Sequence, residues 1–133
     1  MSLIFDLKNQ PTTWANGVNE DLIADYPEYI QKYGKVGSEK WWDNYFSGEI
    51  ERKVHQGKVV FIGERADSCD EIWDIVEIDF NGELAEYDRC GYWKSDEIIV
   101  GALVSIESFE ISLHQKYGPK THMFDRLVQI SKT

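Results

Sequence analysis

The chain has 133 residues, 42% of them hydrophobic, with five Trp, seven Tyr and six Phe and a formal net charge of −10. That length suits a single domain, residues 1–133, with a real core, and so many aromatics exclude a disordered acidic tail. No charged-then-apolar leader opens the chain and no apolar run approaches the ~18 residues of a membrane span, so the expected location is the cytoplasm, with no membrane partner.

Ser2–Asn16 mixes apolar and turn residues, which predicts a short edge strand at Leu3–Leu7 and a loop at Gln10–Thr13. A helix is expected from near Asn19, a good N-cap followed by Glu20 and Asp21 where the helix dipole favours anions. Leu22, Ile23, Tyr26, Tyr29, Ile30 and Tyr33 follow at helical spacing, with Gly34 placed as a C-terminal glycine. Pro27 interrupts the pattern and suggests two short helices, the second starting at Pro27. A further helix reads from Ser38, a reasonable N-cap, to about Phe46. Its Trp41, Trp42, Tyr45 and Phe46 form an i, i+1, i+4, i+5 stripe, read as core packing.

After Gly57 the period becomes two. Lys58–Glu64 is expected to put Val60 and Ile62 on one face and Val59 and Phe61 on the other. Ile72–Phe80 puts Ile72, Val76, Ile78 and Phe80 on one face, interrupted by Asp74, and Trp73, Ile75, Glu77 and Asp79 on the other. Asn81-Gly82 between strand-like runs predicts a type I′ hairpin turn pairing Ile72–Phe80 with Glu83–Tyr92. Ile98–Val104 and Ser105–Leu113 read as one bent strand or two, with a register slip at Glu107-Ser108 that suggests a bulge. Tyr117-Gly118-Pro119 marks a turn, and Phe124–Ser131 a final strand. Helices first and consecutive antiparallel strands afterwards give an α+β fold, N-terminal helices packed on a curved antiparallel sheet.

The charge is concentrated. Glu64–Glu110 holds 14 acidic residues against three basic ones, Arg65, Arg89 and Lys94, a net −11, while the rest of the chain is near neutral. Solubility alone would spread charge over the whole surface. A single negative face attracts cationic partners and disfavours nucleic acid, whose phosphates need clustered Lys and Arg. The outward carboxylates of the paired strands and their loops, Asp67, Asp70, Glu71, Glu77, Asp79, Glu86 and Asp88, are the candidate partner-binding residues. Among them Glu77 and Asp79 share one strand face, as do Glu86 and Asp88. Either pair could form a dyad with split pKa values, but carboxylates at i and i+2 on an exposed strand are read as solvated groups.

Reaction chemistry finds little purchase. Nucleophile elbows, zinc-protease motifs, P-loops and dinucleotide glycine motifs are all absent, so no enzymatic activity and no catalytic residues are expected. The loop Asp67–Glu71 resembles a calcium loop by composition but lacks its spacing and glycine. Cys69, Cys90, His55, His114 and His122 form no ligand pattern, so no metal or cofactor is expected and the cysteines should be free thiols in a reducing compartment. Asp88-Arg89 with Tyr92-Trp93 is either a binding anchor or a strand alternating core aromatics with outward charges.

Glu39–Trp42, Tyr87–Trp93 and Gly101–Ile111 resemble immunity proteins of bacterial contact-dependent growth-inhibition systems, a likeness spanning about residues 40–111. The resemblance implies a cytoplasmic protein that binds and neutralises a cognate toxin C-terminal domain, often a nuclease, and implies no particular site residues. The alternative is a small-ligand-binding protein or enzyme with a cone-shaped pocket lined by Trp41, Trp42, Tyr45, Phe46, Trp73 and Trp93, as in nuclear-transport-factor-like domains.

Overall fold

A computed structural model describes residues 1–9, 13–115 and 118–131. Among them the elements run β1 (Ser2–Asp6), α1 (Thr13–Asp25), α2 (Pro27–Tyr33), α3 (Glu39–Ser47), β2 (Arg52–Ala66), β3 (Ile72–Phe80), β4 (Glu83–Asp88), β5 (Leu103–Gln115) and β6 (Gly118–Ser131). The strands form one open sheet in the order β1-β6-β5-β2-β3-β4, with β1 and β4 at its edges. The α+β expectation, helices packed on an antiparallel sheet, is the fold. By internal packing the chain divides into two compact units, one made of Met1–Asp6, Val54–Glu107 and Leu127–Thr133, the other of Leu7–Lys53 and Ser108–Arg126.

The first unit holds an aliphatic core. Val76 and Ile78 of β3, Val59 of β2, Val104 and Ile106 of β5 and Val128 and Ile130 of β6 are buried together with Trp93. Each fully buried aliphatic side chain contributes about 1.5–3 kcal/mol. Strand β1 pairs with β6 at the edge, Ser2 opposite Ile130 and Asp6 opposite Leu127. In β2 the expected alternation fails, because the register with β3 shifts between Val59 and Phe61. The irregularity lets Val59 and Ile62 both oppose core residues, Ile78 and Val76, and turns Phe61 outward opposite Glu77. A bulge re-aims a side chain in this way. Strand β4 ends at Asp88, short of the expected Tyr92, since Gly91 takes φ +56° and opens a 3-10 turn that brings Trp93 into the core. Residues 98–101 are likewise not strand. Gly101 at φ +94° closes a turn held by Ala102 N–H donating to Ile99, while Gly101 N–H donates to Val59 at 2.8 Å.

The second unit is aromatic. Phe109 lies 5.2 Å from Trp41, 5.8 Å from Tyr45 and 5.6 Å from Phe124, with Trp14 tilted against both phenylalanines. Trp41 Nε1 donates to the Tyr29 hydroxyl at 3.1 Å, and burial pushes the Tyr29 hydroxyl's pKa up. Ser38 caps α3 by accepting from Trp41 N–H at 3.2 Å, and Gly48 ends it in the left-handed conformation. Pro27 opens α2 as expected. Asn19 does not start a helix: it lies inside α1, where its amide accepts from Val36 N–H and donates to Val36 C=O. Of the aromatic stripe, Trp41 and Tyr45 are fully buried, whereas Phe46 is 46% exposed. Positions one residue apart diverge by about 100° around a helix, so the stripe has an inner and an outer column. The outer pair, Trp42 and Phe46, stacks at 5.6 Å with the Arg126 guanidinium over both rings.

Burial in β5 alternates on even positions through Ile106 and Ser108 and on odd positions from Phe109 to Ile111. The slip falls beside the expected Glu107-Ser108 break, which is also where the two units divide. Residues 10–12 of the expected loop and Tyr117 of the expected turn lie outside the described residues; Gly118 opens β6.

Candidate functional site

The β3–β4 hairpin carries most of the candidate carboxylates. Asn81 and Gly82 have φ of +60° and +102°, the left-handed pair a type I′ turn requires, and Phe80 opposes Glu83. Asp79 Oδ1 accepts from Gly82 N–H at 2.6 Å, so this carboxylate also fastens the turn. Register then dictates the faces. Glu77 opposes Glu86, Asp79 opposes Leu84 and Asp88 opposes Ile75, which puts Glu77, Asp79, Glu86 and Asp88 on one side together with Phe61 and Arg65 of β2.

Two like charges directly opposite each other destabilise a strand pair. Arg65 relieves the conflict: its Nη1 donates to Glu77 Oε2 at 2.7 Å and also to Glu86 Oε1, and these two bonds raise the guanidinium's pKa. The guanidinium lies 4.5 Å from the Phe61 ring centre. That ring in turn covers Gly63, where a Cβ would stand 3.2 Å from it.

Between β2 and β3, the loop Asp67–Glu71 is organised by Asp67. Its Oδ1 accepts from Cys69 N–H (2.8 Å) and Glu71 N–H (3.0 Å), and its Oδ2 accepts from Trp73 Nε1 (2.8 Å). The indole bond first, then the Cys69 and Glu71 amides, hold the carboxyl below the usual aspartate range. Asp70 occupies the left-handed region at φ +61°, and Asp70 and Glu71 are exposed.

Asp67, Glu86 and Asp88 converge with Arg65, Trp73 and Ile75 on a groove of about 270 Å³. Glu77, Asp79, Asp70 and Glu71 do not line it. Glu64 and Asp74, which the candidate set omits, oppose each other on the reverse side of β2 and β3, both exposed. Asp74 interrupting an apolar alternation was the signal for them, since it marks where β3 leaves the core.

The Asp88–Trp93 cluster resolves toward packing. Trp93 is buried and stacks on Tyr87 at 4.6 Å, and Arg89 Nε donates to Trp93 C=O at 3.3 Å. A separate cavity of about 310 Å³ in the second unit is lined by Tyr29, Tyr33, Phe109, Glu49, Glu51, Lys53 and Glu110 among others, and by none of the six aromatics of the cone-shaped alternative. Cys69 and Cys90 are exposed free thiols. Among the described residues, no three His, Cys, Asp or Glu side chains are grouped to hold a metal ion, and no helix is long and apolar enough to cross a membrane. No protein-family model matches the chain, and no curated protein matches it significantly.

Proposed function

We propose that this chain is a stoichiometric inhibitor, an immunity protein that binds and neutralises a cognate toxin domain of cationic character, such as a basic nuclease, in the cytoplasm. The supporting observation is the set Glu77, Asp79, Glu86 and Asp88 on one face of a tightly turned hairpin, with Asp67, Asp70 and Glu71 in the adjoining loop. Pairing of β3 with β4 already orders the backbone that carries the strand carboxylates, which lowers the ordering cost of binding. An acidic face of this kind imitates the phosphate backbone that a nuclease groove binds, and steering by it accelerates association by about 10–10³-fold at low salt.

The test uses a toxin domain encoded beside this chain's gene. Titration should abolish its activity at a one-to-one ratio. Reversing Asp70, Glu71 and Asp88 to lysine should slow association and flatten its salt dependence, because attraction is screened beyond ~8–10 Å at physiological ionic strength. Unchanged on- and off-rates across the set at two salt concentrations would leave the acidic face as a solvated surface and remove this reading.

A further inference from the structure

The start of β3 breaks the burial rule that the rest of the strand obeys. Val76 and Ile78 are fully buried, yet Ile72 is 66% and Trp73 46% exposed. They project to opposite faces, so one burial event within the strand pair cannot serve both. A tryptophan left half in water on a strand end is the residue type that dominates protein interfaces.

Trp73 is also held in place. Its Nε1 is bonded to Asp67 Oδ2, and Asp67 is locked by two backbone amides of its own loop. The indole therefore loses little freedom when a partner covers it. Beside it lies the 270 Å³ groove, walled by Trp73 and Ile75 and edged by three carboxylates, Asp67, Glu86 and Asp88, against one guanidinium, Arg65. Asp67 and Glu86 have donors already, Trp73 and Arg65.

We propose that this groove receives an arginine side chain of the cationic protein partner, its guanidinium stacked on the Trp73 indole and paired with Asp88. The inference rests on the inhibitor reading and narrows it to one anchor. An aromatic wall beside a carboxylate fits a planar, weakly hydrated guanidinium better than an ammonium, which stays strongly hydrated and offers no flat face. Charge complementarity selects the cation, and the indole selects arginine over lysine.

Fluorophore-labelled hexa-arginine peptide is the probe, with hexa-lysine as comparator; affinities are read by fluorescence anisotropy at low salt, and in the unsubstituted protein the ¹⁵N-labelled Trp73 indole resonance is followed as well. Hexa-arginine should shift that resonance saturably and bind more tightly than hexa-lysine. Trp73→Leu and Asp88→Asn should each weaken binding by about tenfold, while the Glu20→Gln/Asp21→Asn double variant, two exposed acids of α1 outside both the groove and the acidic face, should change it by about twofold at most. Asp88→Asn leaves the loop's hydrogen bonds in place, so it carries the test if Trp73→Leu disturbs the loop. If the peptide binds but neither groove variant weakens it, the groove assignment falls while the acidic-face reading stands. Absence of any binding by hexa-arginine overturns both.

Discussion

Glu77 and Glu86 face each other directly across the β3–β4 pair, and Arg65 from β2 donates to both. Three strands are thus tied by one cation between two like charges. Arg65→Met should lower the melting temperature, and adding Glu86→Gln should restore part of the loss by removing the repulsion. Thermal unfolding of the two single variants and the double checks this; additive losses would show that the triad is not coupled.

The aromatic stripe of α3 should divide by column. Trp41 is fully buried, so Trp41→Ala should cost ~3–5 kcal/mol, a large share of a small domain's ~5–15 kcal/mol. Phe46→Ala removes a half-exposed ring whose partners include Trp42, Tyr45, Lys8 and Arg126, and should cost about 1 kcal/mol. Urea denaturation separates the two.

Gly57 is under close steric constraint. A Cβ there would meet Ile78 Cγ2 at 2.7 Å and the Asp79 carbonyl at 2.8 Å, and the carbonyl is backbone that cannot swing aside. Gly57→Ala should destabilise by about 1–3 kcal/mol. At Gly82 a Cβ has open space, but φ of +102° strains any other residue, so Gly82→Ala should cost about 1–2 kcal/mol. The two together test sterics against backbone conformation.

Asp67 should make the β2–β3 loop acid-sensitive. Its folded pKa lies below its unfolded one, so its contribution is whole above about pH 4 and is lost as pH falls through the lower folded value. The Trp73 indole resonance should move over that range, and Asp67→Asn should already show the acid-form position at neutral pH.

What the sequence by itself determined was local. Asn81-Gly82, the β3 span Ile72–Phe80, the Ser38 cap and the Pro27 helix start each depend on residues within a few positions, and each stands where the pattern put it. The alternation slip in β5 was legible for the same reason. Tertiary structure decided what depends on distant partners. Asn19 serves Val36, 17 residues away, rather than a helix end. Val59 bonds Gly101 and Ala102, and residues 98–101 turn where an apolar run predicts strand. The bulge in β2 sends Phe61 to the acidic side, and Arg65 reaches 12 and 21 residues along the chain to Glu77 and Glu86. Charge count was therefore readable in advance. Which carboxylates are neutralised, which fasten turns and which border Trp73 follows from strand register, and register is set by pairings between residues far apart in the chain.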